Sequence, residues 1–529
     1  MEIWHVAREL TGVIQVGGLG DAVAGLAAAA AAAGHRVTVL LPAYGGIDWQ
    51  LLAPRRLGLR LLLPSAGISA PFAPGFVEAS ISSARLGGVR LLLLEAALYA
   101  EKQRPYAYSE AETRLNRHRI TGTRHWDTHH LNLLLQNAAV VLARRLGAPD
   151  IFHCHDGHTA FLPTLLQASG VPAAAVVTIH NAGAGYHQEV HDVPLAASLT
   201  RLPALTLRRG SVLWQPPGRP ELNRMVVDPL VLAATDTTLS TVSADYAREI
   251  MTSQTDDDGL GAALRRAGTF LRGITNGIDT AAYDPRGAGP GLPVRFDPGG
   301  SPAAGKRACR SALIELLERP PAGLTGSGRI RPGTVLVGFI GRMTELKGID
   351  LLVEAIPWVL AADQGVSFVL MGQGESQYEV AAQRIAGGRV AVLRGFHPAA
   401  ARLVLAAADL VAVPSRSEPC GLVDLQALLL GALPVVHAVG GLHKIRRGIN
   451  GYSFAPATRE ALAAALITAV RDQRDHPHRA NGLRRNGFRW TVQECNWSRV
   501  FGGSYLPLYE AAARRTPKWT APPQSAYVR

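Results

Sequence analysis

Cysteine is scarce in these 529 residues. Cys154, Cys309, Cys420 and Cys495 are the only four, they stand far apart, and no CxxC pair occurs. That excludes a disulfide framework and points to a reducing compartment. Aromatic residues are also few, at 6%. Basic clusters lie between Arg114 and Arg124, at Lys444-Ile445-Arg446-Arg447 and from Arg479 to Arg489, but none is interleaved with stacking aromatics. With no zinc finger or helix-turn-helix pattern, nucleic acid is not the expected partner. Long hydrophobic runs are missing too: the alanine-rich stretch near residues 24–33 stops at Gly34-His35, too short to span a bilayer. The start, Met1-Glu2-Ile3-Trp4-His5, has no basic segment before an apolar core, so a soluble cytoplasmic protein is expected. Neither GxGxxG nor a P-loop lysine is found. What is present is a 47% hydrophobic chain with 54 basic and 41 acidic residues, net +13. Its length suits two or three domains. The excess charge fits a solvated surface or a cleft that draws in a small anion.

The order of elements reads as βα. Ile3–Val6 predicts a strand, followed by a glycine loop, an alanine-rich helix over about Asp21–Ala33, a stop at Gly34 and the strand Arg36–Leu41. Further strands are expected at Val89–Leu94, Ile151–His153, Ala175–Ile179 and Thr238–Val242. Residues 281 to 330 interrupt the rhythm with glycine and proline around one helix, Ala303–Glu318. A second series follows, with strands at Thr334–Ile340, Ser367–Met371, Val390–Leu393, Leu410–Val413 and Leu433–Val436, and helices at Gly348–Val359 and Tyr378–Ile385. Two α/β halves imply a crevice at the carboxyl ends of the strands.

Several loops at strand ends carry chemistry. Gly17-Gly18-Leu19-Gly20-Asp21 brings backbone amides to a helix N-terminus, either as an anion cradle or as a tight turn without a ligand. His153-Cys154-His155-Asp156-Gly157-His158 follows a strand, with His153 and His155 on one side. It reads as a metal cluster, as a polar substrate contact or as turn bonding, the second preferred; His180-Asn181 closes the next strand. In the second half, Arg342 and Lys347 put two cations near a helix N-terminus, where the dipole disfavours them unless an anion such as a diphosphate is bound. Glu418, in Ser415-Arg416-Ser417-Glu418-Pro419-Cys420-Gly421, is a carboxylate for sugar or ribose hydroxyls or a helix cap. Gly440-Gly441-Leu442 echoes the first Gly-Gly-Leu.

These motifs, together with Thr178-Ile179-His180-Asn181, Thr241-Val242-Ser243 and Gly273-Ile274-Thr275-Asn276-Gly277-Ile278-Asp279, closely resemble the bacterial glycogen synthases and plant starch synthases over nearly the whole chain. The resemblance implies an α/β GT-B fold: two Rossmann-like domains facing a deep cleft, with a C-terminal helix crossing back to the first. Domains are then expected at 1–280 (acceptor side) and 281–495 (nucleotide-sugar side), with the crossing helix at 496–512, which carries Trp497, Tyr505 and Tyr509, and a loose tail at 513–529. It implies retaining transfer of glucose from ADP-glucose to the non-reducing end of an α-1,4-glucan, without a cofactor or metal. Arg342 and Lys347 would hold the diphosphate, Glu418 would serve the donor sugar or the reacting centre, and His158 would contact the glucose. Gln15, Gly17, Gly18, Gly440, Gly441 and Leu442 would line the donor, and Asp127, His180 and Asn181 the acceptor or sugar. Neither a nucleic acid nor a membrane is an expected partner, and homo-oligomer formation stays open.

The chain departs from the family pattern at Gln15, where a lysine is usual, and at Gly157, where Asp-Trp-His becomes Asp-Gly-His. Asn181-Ala182-Gly183-Ala184-Gly185-Tyr186 replaces Asn-x-x-Tyr-Gln-Gly. Val439 replaces a threonine, and Lys444-Ile445 an Asp-Thr. Lys444 is therefore expected to restore the cation missing at Gln15. Two other readings stand beside the first: the same fold with a different donor or acceptor, and a catalytically weak glucan-binding or regulatory protein.

Overall fold

Strands that come from continuous apolar runs are buried on both faces. Glu2–Val6 (β1) is buried from Ile3 onward and Arg36–Pro42 (β2) from Val37 onward, as a parallel sheet covered by helices requires. The computed structural model describes residues 1–66, 74–116, 118–183, 185–214, 223–252, 259–287 and 291–515. They form two compact units, Met1–Gly277 with the segment from Val500, and Ile278–Arg499.

In the first unit the strands after β2 are Arg55–Ala66 (β3), Pro74–Leu86 (β4), Val89–Glu95 (β5), Ile151–His155 (β6), Ala174–Ile179 (β7), Ser211–Trp214 (β8), Arg224–Val227 (β9), Thr238–Thr241 (β10) and Arg272–Gly273 (β11). Nine of them form one sheet in the order β11-β10-β7-β6-β1-β2-β5-β4-β3, while β8 and β9 pair separately. Pairing is parallel from β11 to β5 and antiparallel from β5 through β4 to β3. The connections run outward in opposite directions from β1 and β6, so the ends of these two strands form the switch point where α/β folds place ligands.

The alanine-rich helix starts earlier than the sequence predicts, at Gly18, and runs to Ala32. The second loop glycine thus opens its first turn. Its buried face is Ala22, Val23, Leu26, Ala27, Ala29 and Ala30, small enough for close approach to the sheet. The long β3–β4 hairpin is absent from the strands read in the sequence. There the run Leu61-Leu62-Leu63 hides a one-sided strand, with Leu61 and Leu63 buried and Leu62 49% exposed.

The second unit's sheet contains Leu324–Gly328 (β12), Val335–Ile340 (β13), Val366–Gly372 (β14), Val390–Gly395 (β15), Leu410–Val413 (β16), Leu433–His437 (β17) and Tyr452–Phe454 (β18). Its order is β12-β15-β14-β13-β16-β17-β18, parallel except for the β12 edge, and its switch point lies between β13 and β16. Within the glycine- and proline-rich junction, Leu324–Gly328 is therefore a strand rather than part of a loop. Pairing with β15 outweighs its poor intrinsic propensity.

Beyond the second unit, a π-helical turn Phe501–Tyr505 leads into the helix Leu506–Arg515. Phe501, Tyr505, Leu508 and Tyr509 are buried on the first unit, and the Tyr509 hydroxyl lies 2.7 Å from His153 Nδ1. The expected loose tail falls, from residue 516 on, outside the described residues. Among the described residues no helix is long and apolar enough to cross a membrane.

Candidate active site

At the first switch point, β1 runs into two buried charged residues. Arg8 donates from Nε to Tyr44 Oη (2.8 Å) and from Nη1 to Asn132 Oδ1 (2.9 Å), and also reaches the Pro105 carbonyl. Glu9 accepts the Val16 and Gly17 amides at 2.5 and 2.9 Å and the Tyr106 hydroxyl at 3.2 Å. The glycine loop is thus held from beneath by a carboxylate. Gln15, Gly17 and Gly18 stay exposed. The helix that follows has no side-chain cap, so its first-turn amides are open donors.

After β6 the chain turns at Asp156 with φ 58°. Asp156 Oδ1 accepts the His180 amide at 2.6 Å and the Asn181 amide at 3.4 Å. Burial pushes this carboxyl up to about 7, against the pull of those two donors. His158 is buried, its ring 5.0 Å from that of Tyr106, and its Nδ1 has no hydrogen-bond partner among the described residues. Burial first, then Arg8 and Arg124, hold its pKa well below the usual imidazole value, so at neutral pH it is a neutral donor–acceptor.

His153 and His155 do share a side, and β1 adds His5 to them. His5 Nδ1 lies 3.1 Å from His155 Nε2, and His155 Nδ1 lies 3.0 Å from His180 Nε2. His153 bridges Tyr509 and Thr178 at 2.7 and 2.6 Å. The ligand atoms of His5, His153 and His155 lie within 4.8 Å of one another, the one set of described residues that could hold a metal ion. Every ring nitrogen among these three except Nε2 of His5 already has a hydrogen-bond partner. Asp127 lies apart from this group, buried against Lys102 at 3.0 Å. Asn181 accepts the Gly183 amide at 2.8 Å.

The second switch point brings together residues 71 positions apart. Lys347 Nζ meets Glu418 Oε2 at 2.6 Å, and Ser415 Oγ donates to the same oxygen at 3.0 Å. Burial disfavours the Glu418 charge, but Lys347, Ser415 and Lys444 together hold its pKa below the ordinary glutamate value. It is an anion at neutral pH. Arg416 forks onto Asp350 at 2.7 and 2.5 Å and holds the Glu345 carbonyl at 2.7 Å. Arg342 is exposed, and its guanidinium has no partner among the described residues. Gly440, Gly441 and Leu442 are buried in a short 3₁₀ turn, and the Gly441 amide donates to the Glu418 carbonyl at 2.8 Å.

Residues 2–266 match the family model described as starch synthase catalytic domain, and residues 334–472 match glycosyl transferases group 1. A glycogen synthase from Anaeromyxobacter sp. (strain Fw109-5) is 34% identical over 530 residues, covering 97% of this chain and 100% of that protein. The chain belongs to the glycogen and starch synthase family. A second glycogen synthase, from Alkalilimnicola ehrlichii, is 32% identical over 98% of this chain and 99% of its own length. The starch synthase IV catalytic domain of Arabidopsis thaliana superposes with a TM-score of 0.78 at 24% identity, covering 97% of this chain and 99% of that one. The shared fold is GT-B, and the family makes the chain a glycosyltransferase.

Against the family pattern, Gly157 is where the usual tryptophan would not fit: a Cβ there would stand 1.9 Å from the His187 carbonyl oxygen. Lys444 does not supply the cation missing at Gln15. Its ammonium is turned inward onto three carbonyls and Asp424, because the second unit needs a counter-charge for that buried carboxylate. Arg8, Glu9, Tyr106 and Asp424 escaped the sequence reading. The first two had a usable signal, adjacent charges directly after a buried strand.

Proposed function

We propose that the protein transfers glucose from ADP-glucose to the non-reducing end of an α-1,4-glucan with retention of configuration. The observation that carries this reading is the pairing of Lys347 with ionised Glu418, in the same βα series as the exposed Arg342, whose guanidinium has no partner among the described residues. Arg342 and Lys347 neutralise the diphosphate as charge builds on the leaving oxygen. Glu418 accepts hydroxyls of the donor sugar, and neutral His158 contacts the glucose. The bond from the sugar C1 to the phosphate oxygen breaks, and C1 bonds to the acceptor 4-oxygen on the same face. The acceptor hydroxyl proton goes to the departing phosphate. The Arabidopsis thaliana relative was solved bound to ADP and acarbose, which supports an adenine nucleotide here. Gly17, Gly18, Gly440, Gly441 and Leu442 are assigned to the donor, and His180, Asn181 and Asp127 to the sugar or acceptor side. The cytoplasm, where nucleotide sugars are made, is the proposed compartment.

The test measures nucleoside diphosphate release from ADP-glucose or UDP-glucose, each with and without glycogen. Release only with ADP-glucose plus glycogen is expected; release with UDP-glucose or without glucan defeats the reading. Because the charge is assigned to Arg342 and Lys347 rather than to a metal, turnover is expected to persist in excess EDTA. One observation favours a second reading, a different donor: Gln15 is exposed and uncharged where the family has a lysine. If ADP-glucose is the donor, Gln15→Lys should raise kcat/KM by about tenfold or more, the worth of a charged hydrogen bond. No gain would favour the other donor.

A further inference from the structure

We propose that Lys444 is a positioning residue for Glu418: its ammonium, paired with Asp424, clasps the glycine loops that follow β16 and β17 together and does not touch the donor. The inference rests on the transfer reading above, in which Glu418 serves the reacting sugar.

Lys444 Nζ lies 2.5 Å from the Cys420 carbonyl oxygen and 3.0 Å from those of Gly421 and Gly441. It also lies 2.8 Å from Asp424 Oδ2, with side chains only 9% and 0% exposed. An ammonium has three protons, and four oxygens already surround this one. None is left for a phosphate. The loops it joins touch backbone to backbone. A Cβ on Gly441 would stand 2.1 Å from the Cys420 carbonyl oxygen, and one on Gly421 would stand 2.9 Å from Lys444 Nζ. Three carbonyl oxygens and a carboxylate converge in this small buried space, and their mutual repulsion would part the loops without a cation. Parting them would release Glu418, because the Gly441 amide donates to the Glu418 carbonyl at 2.8 Å. Lys444 is itself fixed from behind: Asn450 donates from Nδ2 to its carbonyl at 3.2 Å and accepts the Arg446 amide at 2.7 Å.

Lys444→Met alone leaves Asp424 buried and unpaired, a change that unfolds many proteins. The test therefore uses the full chain carrying Lys444→Met with Asp424→Leu, which exchanges the pair for apolar groups of similar size. Three quantities are measured against the parent: hydrogen exchange of the peptide spanning Gly440–Leu442, kcat and KM with ADP-glucose and glycogen, and calorimetric affinity for ADP. The expected result is exchange at least tenfold faster and kcat at least tenfold lower, any loss of ADP affinity appearing only together with the faster exchange of that donor-side loop. A tenfold loss of ADP affinity or rise in KM without faster exchange would make Lys444 a diphosphate ligand and overturn the proposal. Unchanged exchange, or faster exchange with full turnover, overturns it as well. If the parent itself does not turn over ADP-glucose, the transfer reading falls, while the exchange measurement still decides whether Lys444 holds the loops.

Discussion

At position 157 an added Cβ would stand 1.9 Å from the His187 carbonyl oxygen and 2.7 Å from that of Tyr186. Both are backbone atoms, so nothing flexible can yield. Gly157→Trp should destabilise the first unit by about 2 kcal/mol or more, measured as a lower urea midpoint; an unchanged midpoint would mean that the backbone of Tyr186 and His187 moves aside at no cost. Asp156, one residue earlier, is pushed up to about 7 by burial despite its two amide donors. In the unfolded chain an aspartate ionises near pH 4. The unfolded state therefore gains on the native one as pH rises from about 4 to 7, and on this account stability falls across that window. Asp156→Asn keeps an acceptor for both amides and removes the slope. Its stability gain over the parent should be larger at pH 8 than at pH 5, and equal gains would contradict the burial argument.

The ends of β1, β6 and β7 carry one connected set of imidazoles, His5, His155 and His180, with His153 stacked on His155 at 4.3 Å between ring centres. Burial lowers His5 and His180 to about 3 and His153 and His155 well below the usual value. All four are neutral in the native state and bind protons once unfolded, so stability is lost as pH falls from about 6.5 toward 3. Four such groups outweigh the opposite trend of Asp156. Urea unfolding followed at pH 7.5 and 5 should show the first unit weakening in acid, and His5→Leu should reduce that slope by up to about 1.4 kcal/mol per pH unit. Alternation along a strand was enough to put His153 and His155 on one side. His5 could not be added from the sequence, because its place opposite His153 is a matter of register between β1 and β6. The same division holds in the second unit. Arg342, Lys347 and Glu418 stand out as charges in loops after apolar strands, whereas the inward turn of Lys444 depends on Asp424, twenty positions away on a helix that reads as ordinary core.

For the whole molecule, the βα rhythm disclosed both sheets because parallel strands are apolar throughout. It missed β3, β4 and β12, antiparallel strands whose pattern is one-sided or broken by glycine, and the short strands β8, β9, β11 and β18, too brief to show a pattern. The segment from Val500 belongs to the first unit and buries Phe501, Tyr505, Leu508 and Tyr509 there. Each such side chain is worth about 1.5–3 kcal/mol of burial. A chain ending at Arg499 should therefore lose the first unit's unfolding transition while the second unit's remains, and calorimetry of the truncated chain checks this; two intact transitions would refute it. The same segment orders events on the ribosome. Domains commonly fold as they emerge, the N-terminal one first, but here the earlier-encoded unit lacks its last helix until residues 500–515 have been made. The unit encoded by the middle of the message is complete before the one encoded at its start. Until translation reaches the final helix, the face of β6 bearing His153 is open to the chaperones of the nascent chain.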